Sequence, residues 1–478
     1  MRELLIRGLL RPLYSAQRRL RPATRPALRA ADEGLRFRRR ARGWSPERRR
    51  AWVLDRLRTV IREAAETTFY ERRFRESGFD PWSDFSFDEF ASLPPLERHE
   101  IADYRGEMRI PSLADGQIWE DATGGSSGSP TVVFKGPLER GWGESAKRFY
   151  MGLIGVPPGV RTAFLWGHHL DPVGSDGWRD RLRTLVNNGR WYDCLRLSEE
   201  QLGAFHRDLQ EWRPRVMVAY ASALGALARW VAESGERPRY PMGCFVTGAE
   251  KLLPRDRAVA ESVFGRPVHE RYGGRDVGMM GFQLHPGEGL HFDIDWPNIL
   301  LEPESAPDGP EQGSGQLSGP GPLSEPGTFE SPLLVTKLHG DAMPMIRYRV
   351  GDLGLFRNDC RPGHPAFRLE EVRGREMDRL WNPEGAWFHP AGVPHLMKDF
   401  PVRDFRLVQA SDHSITLEVV KDDAFEPGHR EAILKVLRDN LPEVTIRMEE
   451  LEEIPTTPAG KRKPVVSHVK APEERTST

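Results

Sequence analysis

Apolar residues recur along the chain with two different periods. Between residues 47 and 77, Trp52, Leu57 and Ile61 belong to a stripe with helical spacing, which predicts a helix with a basic outer face. The stretch "SLPPLERHEI" then reads as a turn that enters another short helix.

The segment from residue 115 to 300 alternates between the two periods. "RTAFLWG" and "GCFVTGAE" are short apolar runs typical of buried strands. "QLGAFHRDLQEW" and "ASALGALARWVAES" have the spacing of helices that cover the faces of a sheet. This alternation predicts an α/β architecture.

Two changes in pattern follow. Residues 302–330 are rich in Pro, Gly and Ser, which predicts a disordered loop inside a domain, because a strand pattern resumes at "PLLVTKL". Near residue 378 the pattern changes again: "FRLVQA" and "SITLEVV" read as strands and "HREAILKVLRDNL" as a helix. The chain is thus predicted to comprise a basic arm (1–50), a large multi-subdomain α/β domain (51–377) and a small α+β domain (378–478).

Composition narrows the class of protein. A chain of 478 residues with 38% hydrophobic and 29% charged residues is expected to be a soluble globular protein of two or three domains. Cys194, Cys244 and Cys360 are far apart and form neither a metal-binding spacing nor a disulfide framework. A reducing, cytoplasmic location is the simplest expectation.

Charge is unevenly distributed. Residues 1–50 hold sixteen Arg and four acidic residues, a net charge of +12, so the remainder carries about −13. Arg7 interrupts the only early apolar run, and a signal peptide or membrane span is not expected. The arm is interpreted as a solvated basic face or, alternatively, as a peripheral contact with an anionic membrane. Nucleic-acid binding lacks a supporting aromatic-rich or zinc-finger motif.

The stretch "DATGGSSGSPTVVFKG", residues 121–136, is unusually rich in glycine and serine. It contains G-x-S-x-G, but Pro130 and a β-branched pair follow where a nucleophile elbow requires a helix. A Walker P-loop would need a Lys directly after Gly128, and none is present. A phosphate-binding loop between two strands and an ordinary surface hairpin both remain open on this stretch alone.

Four later segments of the sequence help to interpret that loop. They are "FVTGAEKLLPRDRAVAESVFGRPVHERYGGRDVG" (245–278), "LVTKLHGDAMPMIRYRVGDLG" (334–354), "VRGREMD" (372–378) and "PTTPAGKRK" (455–463). Together with the loop they resemble the adenylate-forming ligase superfamily, and within it the phenylacetate–CoA ligase-like proteins and their capsular polysaccharide biosynthesis branch. The resemblance covers roughly residues 55–470.

The resemblance implies a large N-terminal adenylation domain, a small mobile C-terminal domain and an active site between them. It also implies two reaction steps. A carboxylate attacks the α-phosphate of Mg-ATP, which gives an acyl-adenylate and pyrophosphate, and a thiol or an amine then displaces AMP. Such chemistry depends on positioning and charge neutralisation.

The phosphate-binding role falls on the loop. The resemblance implies that seven of its residues hold the β- and γ-phosphates: Thr123, Gly124, Gly125, Ser126, Ser127, Gly128 and Thr131. The family often has Lys after the Gly-Pro step, whereas here the nearest is Lys135, which is interpreted as a solvated strand residue.

The nucleoside is assigned to the middle segments. Gly248, Ala249 and Glu250 are expected to line the adenine pocket, while Tyr272, followed by Gly273, stacks on the base.

The metal and the ribose have separate candidates. Asp276 stands where the family usually has Glu and is expected to bind Mg²⁺ with a side chain one methylene shorter. The resemblance implies that Asp352 binds both ribose hydroxyls and that Arg375 supports the same sugar.

The C-terminal segments supply a catalytic and a hinge candidate. Lys461 is implied as the lysine that contacts both the carboxylate and the α-phosphate, where a cation stabilises two meeting anions. The hinge aspartate of the family falls on Met377, with Asp378 one residue further.

The residues of the acyl pocket are harder to assign from the sequence. "LWGHHL" and "VAYASALGAL" resemble its walls, yet His168, His169, Tyr220 and Ser222 could equally be structural residues.

The expected function is an ATP- and Mg²⁺-dependent, AMP-forming acid ligase that most simply acylates CoA. Two alternatives keep the adenylation: transfer to an amine or hydroxyl acceptor in polysaccharide or natural-product assembly, and adenylation of a deazaflavin cofactor. A third, from another class, is a noncatalytic membrane-peripheral assembly protein. Retention of Asp352, Arg375 and Lys461 in motif context argues against that third alternative.

Overall fold

The computed structural model describes the body of the chain and most of its C-terminal part. The described residues are 25–122, 131–166, 188–194, 198–241, 243–286, 291–306, 327–375, 380–381, 383, 387–388, 397, 400–440, 444–455 and 465–469. They form a large α/β body followed by a smaller α+β unit, which confirms the predicted fold class. Most of the expected disordered loop, residues 307–326, lies outside the described residues, as does the expected boundary at residues 377 and 378.

Ten α-helices are present in the described part of the chain. They are α1 (Arg25–Ala41), α2 (Pro46–Ala64), α3 (Thr68–Ser77), α4 (Phe87–Ala91), α5 (Arg98–Tyr104), α6 (Pro137–Leu153), α7 (Glu199–Trp212), α8 (Ala221–Ser234), α9 (Pro254–Phe264) and α10 (Pro427–Asn440). None of them is long and apolar enough to span a bilayer.

The same part of the chain contains twenty strands. They are β1 (Trp119–Ala122), β2 (Val132–Lys135), β3 (Thr162–Leu165), β4 (Gly189–Tyr192), β5 (Val216–Tyr220), β6 (Cys244–Gly248), β7 (Val268–Gly274), β8 (Gly278–Phe282), β9 (Phe292–Ile294), β10 (Ile299–Pro303), β11 (Thr328–Lys337), β12 (Tyr348–Arg357), β13 (Arg368–Leu369), β14 (Glu371–Arg375), β15 (Leu380–Trp381), β16 (Trp387–Phe388), β17 (Val402–Gln409), β18 (Ile415–Lys421), β19 (Ile446–Glu450) and β20 (Val465–Ser467).

The central sheet has eight strands in the order β13-β9-β8-β7-β6-β5-β3-β4. Its β7-β6-β5-β3-β4 half is parallel, and α7, α8 and α9 connect successive parallel strands. The predicted strands at "RTAFLWG" and "GCFVTGAE" and the two predicted helices between and beside them are therefore confirmed. Ligands of such sheets bind outside the carboxyl ends of the parallel strands.

A second, antiparallel sheet has the order β10-β11-β12-β14. Its buried apolar residues share one core with the N-terminal helices and with β8 and β9. Strand β12 therefore runs beside the central sheet, and its polar residues can reach the loop that follows β7.

The helix predicted over residues 47–77 is instead two helices, α2 and α3. The break falls at Thr67, whose buried hydroxyl accepts a hydrogen bond from Tyr70 N at 3.3 Å and donates one to Ala64 O at 2.8 Å. Thr67 thus caps α3, and the hydrophobic period alone did not reveal this cap.

Residues 25–50 of the predicted basic arm are part of the body. Helix α1 packs on α6, and Gly141 permits close approach because a side chain there would overlap the backbone of Ala27. Arg38 is 2% exposed and pairs with Asp295 through Nε–Oδ1 at 2.9 Å and Nη2–Oδ2 at 2.7 Å. This stretch therefore packs on the body, and its arginine completes a buried ion pair.

The C-terminal unit is a four-stranded sheet, β19-β18-β17-β20, with α10 packed against it over its own apolar core. The strands at "FRLVQA" and "SITLEVV" and the following helix are confirmed. Arg255 of α9 joins this unit to the body, since its Nη1 donates to Val402 O at 3.1 Å and its guanidinium lies 5.7 Å from the Phe405 ring centroid.

Candidate active site

The carboxyl ends of β5 and β6 meet at one edge of the central sheet. Tyr220, the last residue of β5, is in register with Gly248, the last residue of β6. Ala249 follows with φ of 70°, a left-handed conformation that non-glycine residues rarely adopt and that often marks a functional turn. Two of the expected adenine-pocket residues therefore lie where the fold class binds its ligands.

Glu250, the third expected residue of that pocket, has a structural contact. Its Oε2 accepts hydrogen bonds from Ser222 N at 3.0 Å and from Ser222 Oγ at 2.6 Å. Ser222 lies in the first turn of α8, where backbone N–H groups lack partners within the helix and a carboxylate is favoured. This bond fixes the turn after β6 against α8, and it gives Ser222 a structural role.

Tyr272 and Asp352 are brought together from segments 80 residues apart. The Tyr272 hydroxyl donates to Asp352 Oδ2 at 2.7 Å. Asp352 in β12 is also the cross-strand partner of Arg375 in β14. The residues expected at the base and the ribose thus share one place, although only the backbone position of Arg375 is described. A carboxylate has about four acceptor sites, so the bond from Tyr272 is compatible with further bonds from ribose hydroxyls.

Asp276 lies at the tight turn between β7 and β8. The turn requires Gly273, since a Cβ there would overlap Gly278 O. Asp276 Oδ2 accepts from the hydroxyl of Tyr348 at 3.0 Å, and Oδ1 accepts from Val277 N at 3.0 Å. Tyr348 and Asp352 both belong to β12, so the metal candidate and the ribose candidate are held by one strand.

The donor set at Asp276 is compatible with Mg²⁺. Each carboxylate oxygen keeps acceptor capacity beyond its one bond. Within the described residues no cluster of three or more His, Cys, Asp or Glu could enclose a metal ion. Mg²⁺ suits such a site, because it is commonly held by one or two carboxylates together with water and substrate phosphates.

The hairpin β1–β2 frames the glycine-rich loop. Ala122 pairs with Val132, so residues 123–130 connect two antiparallel strands, as predicted, while those residues themselves lie outside the described part. Thr131 is buried, and its Oγ1 accepts from Arg98 Nε at 2.9 Å. The hydroxyl of Thr131 is therefore engaged by α5.

Lys135 ties this hairpin to the turn after β7. Its Nζ lies 2.8 Å from Asp121 Oδ2 and donates to the carbonyl of Arg275. With a side chain that is 14% exposed, Lys135 is not the solvated strand residue that was expected. Lys135 therefore connects Asp121 of β1 to the turn that carries Asp276.

A buried ion pair that sequence reasoning missed lies behind this region. Lys337 Nζ is 2.9 Å from Glu139 Oε1 at the start of α6, and the lysine is 2% exposed. Burial lowers the pKa of Lys337 and raises that of Glu139, and Asp276 contributes to the field at Lys337. The signal in the sequence was "LVTKL", a lysine within an otherwise apolar strand.

Several predicted residues fall outside the described part of the chain. They are Lys461, Thr123, Gly124, Gly125, Ser126, Ser127, Gly128, the hinge candidates Met377 and Asp378, and His168 and His169 of the acyl pocket. Their assignments remain predictions.

Known proteins resemble the chain in sequence. Phenylacetate-coenzyme A ligase of Thermus thermophilus is 24% identical over 426 residues, which cover 85% of this chain and 88% of that protein. Protein CapK of Staphylococcus aureus is 20% identical over 393 residues, covering 79% and 80%. No protein-family model matches the chain.

Solved structures resemble it in fold. 2-Hydroxyisobutyryl-CoA ligase in its postadenylation state with R3-HIB-AMP has a TM-score of 0.63 at 17% identity, covering 88% of this chain and 90% of that one. The same ligase with 2-HIB-AMP and CoA, in its thioesterification state, has a TM-score of 0.53. The fold is that of the adenylate-forming ligases. Within that class, the predicted resemblance to the phenylacetate–CoA ligase-like and CapK branch is confirmed.

Proposed function

We propose that this chain is an AMP-forming carboxylic acid ligase that uses ATP to form an acyl-adenylate and pyrophosphate and then transfers the acyl group to CoA in the cytoplasm. The observation that carries the proposal is the hydrogen bond from Tyr272 to Asp352, with Arg375 opposite Asp352 in the sheet. An aromatic ring beside a carboxylate at the carboxyl edge of a parallel sheet suits a nucleoside.

In the first step a carboxylate oxygen bonds to the α-phosphorus of ATP while the bond to the pyrophosphate oxygen breaks. Asp352 and Arg375 hold the ribose, Tyr272 packs on the base, and Thr123 to Gly128 and Thr131 lie around the leaving pyrophosphate. Mg²⁺, held by Asp276, would supply charge neutralisation. Lys461 brings a positive charge between the two anions as they meet.

In the second step the sulfur of CoA bonds to the acyl carbon, and the bond between that carbon and the AMP oxygen breaks. The thiol proton is lost to solvent. Because Lys461 serves the approach of carboxylate to phosphate, it is needed in the first step only. The division at residues 377 and 378, with a mobile domain that carries Lys461, is part of this proposal.

The test is product analysis by mass spectrometry after incubation with ATP, Mg²⁺, a panel of carboxylic acids and CoA. The expected products are AMP, pyrophosphate and an acyl-CoA in equal amounts. If AMP formation depends on the acid but no thioester forms, and an added amine or alcohol gives an amide or an ester, the acceptor is an amine or a hydroxyl group and not CoA. ADP formation, or nucleotide cleavage that is independent of any acid, would contradict the proposal.

We also propose that the basic N-terminal region contacts anionic membrane surfaces. Exposed arginines at the start of the described chain support this proposal. Among the described arginines of α1, Arg38 alone is buried. Exposed are Arg25, Arg29, Arg36, Arg39, Arg40, Arg42 and Arg48. Binding to vesicles that contain phosphatidylserine should fall steeply with salt. Vesicle binding that is insensitive to salt, or equal binding to neutral vesicles, would contradict this proposal.

A further inference from the structure

Arg271 is a half-buried cation that has no acidic partner among the described residues. Burial lowers the pKa of Arg271 below its ordinary value, and no neighbouring charge in the described part of the chain offsets that effect. Among the described residues, none of the ion pairs within 4.0 Å includes it. Its guanidinium carbon lies 5.9 Å from the ring centroid of Trp166. A half-buried guanidinium without an acid beside it can direct its N–H donors to an anionic ligand.

The buried arginines of the same body are paired. Arg38 binds Asp295 at 2.7 Å, and Arg347 lies 3.1 Å from Glu302 Oε1. Arg257 donates to Gln283 at 2.6 Å and lies 3.8 Å from Glu270. The fold therefore supplies partners for guanidinium groups that have only a structural role, and Arg271 differs from them.

Arg271 and the nucleoside candidate Tyr272 lie on different faces of the sheet. Successive side chains of a strand point to opposite faces, so Arg271 and its neighbour Tyr272 lie on opposite faces of β7. Tyr272 packs with the core that contains β12. Arg271 is the cross-strand partner of Phe282, which belongs to the apolar cluster with Val218 and Val246 on the other face.

The guanidinium lies at the carboxyl edge of the parallel strands. A Cβ placed on Gly248, the last residue of β6, would lie 3.5 Å from Arg271 Nε and 3.6 Å from Nη2. Trp166, directly after β3, packs on Tyr220 at the end of β5 with a centroid distance of 4.4 Å. The cation thus faces an aromatic wall at the edge where ligands bind, one residue from the nucleoside candidate Tyr272.

We propose that Arg271 selects a carboxylic acid that carries a second anionic group and binds that group while the first carboxylate reacts. This inference rests on the proposed ligase function and names its substrate class. Arginine suits the role because its planar fork binds carboxylate or phosphoryl oxygens in pairs, and Trp166 supplies an apolar surface for the part of the acid between its two charged ends.

The experiment compares acids that are matched in length and differ in the terminal group. One series is glutarate, phosphonobutyrate and pentanoate, and the other is terephthalate, phosphonobenzoate and toluate. Acid-dependent exchange of pyrophosphate into ATP gives kcat/KM for each acid. In the wild type, one of the doubly anionic acids should exceed its singly charged partner by about 10- to 100-fold. The doubly anionic acid with the higher kcat/KM shows whether the second group is a carboxylate or a phosphoryl group.

Variants at Arg271 assign the preference to this residue. Arg271→Leu should abolish or reverse the preference through the KM for the acid, with the KM for ATP little changed. Arg271→Lys should recover part of it, because it retains the charge without the fork. Arg368→Leu, an exposed residue of β13, is the matched control and should keep the wild-type preference. Equal kcat/KM for doubly and singly charged acids in the wild type, or an unchanged preference in Arg271→Leu, would overturn the inference.

Direct binding separates this inference from the proposed function. Isothermal calorimetry with each acid and no ATP should show binding of a doubly anionic acid to the wild type and a loss of about tenfold or more in Arg271→Leu. If no acid supports exchange but this binding pattern is found, the ligase function fails while the anion site stands. If exchange proceeds best with singly charged acids, the ligase function stands and the inference fails. Absence of both exchange and Arg271-dependent binding overturns both.

Discussion

Arg38 is a buried arginine and Arg271 is a half-buried one, and they lie in regions of different character. Arg38, where α1 packs on α6, has its guanidinium bound by Asp295 and by Ser145 Oγ at 2.6 Å. Arg271, at the carboxyl edge of the parallel sheet, has Trp166 beside it and no acid among the described residues. In the first region, the protein itself supplies the partners of the arginine. The arginine of the second region has no acidic partner among the described residues, which is why we assign it to a ligand, whereas Arg38 serves stability.

The largest expected effect tests the Arg38 side of this comparison. Arg38→Leu leaves the carboxylate of Asp295 buried without its partner, and this should lower the free energy of unfolding by about 3–5 kcal/mol. Denaturant titration measures it. Arg38→Leu combined with Asp295→Leu should recover part of the loss. Arg271→Leu should not lower stability, and a loss as large as that of Arg38→Leu would remove the distinction between the two arginines.

The next effect concerns the charge that the C-terminal unit brings to the site. Lys461→Ala should slow adenylation by about 10²–10³-fold, because the transition state loses a cation between two anions. Transfer to CoA from a supplied acyl-adenylate should be little changed, and single-turnover assays of each half-reaction measure the two rates.

Lys463→Ala is the control for that experiment and should be mild. Equal loss in both half-reactions of Lys461→Ala, or no loss in either, would contradict the assignment of Lys461.

A smaller effect is expected at Asp276. Asp276→Asn should raise the apparent Mg²⁺ requirement about tenfold, and more than the requirement for the acid, because one negative charge facing the ion is lost. Asp276→Glu should also change Mg²⁺ dependence, downward if the longer side chain reaches the ion directly and upward if it crowds the turn at Gly273. Wild-type Mg²⁺ titrations in both variants would mean that Asp276 serves only Tyr348 and Val277.

The smallest effect concerns the other face of β7. Tyr272→Phe removes the hydroxyl that orients Asp352 and keeps the ring, so the KM for ATP should rise about 3- to 10-fold. Tyr272→Ala should have a larger effect, since the ring is lost as well. Neither change should alter the preference between doubly and singly charged acids. A shift in acid preference in Tyr272→Phe would show that the two faces of β7 are not separate in function.

The sequence predicted the local elements of the fold well, and the long-range contacts poorly. Period and turn residues were sufficient for β3, β6 and α8, because their apolar patterns are locally determined. The pairing of Arg38 with Asp295 spans 257 positions, and nothing in the local pattern of α1 indicates it. The early helix was predicted without its break at Thr67, because the cap is a single hydroxyl within an unbroken apolar stripe.

At the candidate site, too, the motifs were predictable from the sequence and the long-range contacts were not. Tyr272, Asp276 and Asp352 came from motifs in a family resemblance, and the structure brings them to one place. Lys135 was misread because its partners, Asp121 and the carbonyl of Arg275, come from across the hairpin and from a distant turn. Arg271 stands in the same motif as Tyr272, but its partial burial and the absence of an acidic partner among the described residues are properties of the folded chain alone.

The most direct test of the ligase function is pyrophosphate exchange without any acceptor. Labelled pyrophosphate is incubated with the protein, ATP and Mg²⁺, and an acid is added from the matched series. Label is expected in ATP only when an acid is present, and exchange should weaken when Asp352→Asn removes the charge beside Tyr272. Exchange without acid, or no exchange with any acid while ATP is cleaved to ADP, would contradict the ligase function.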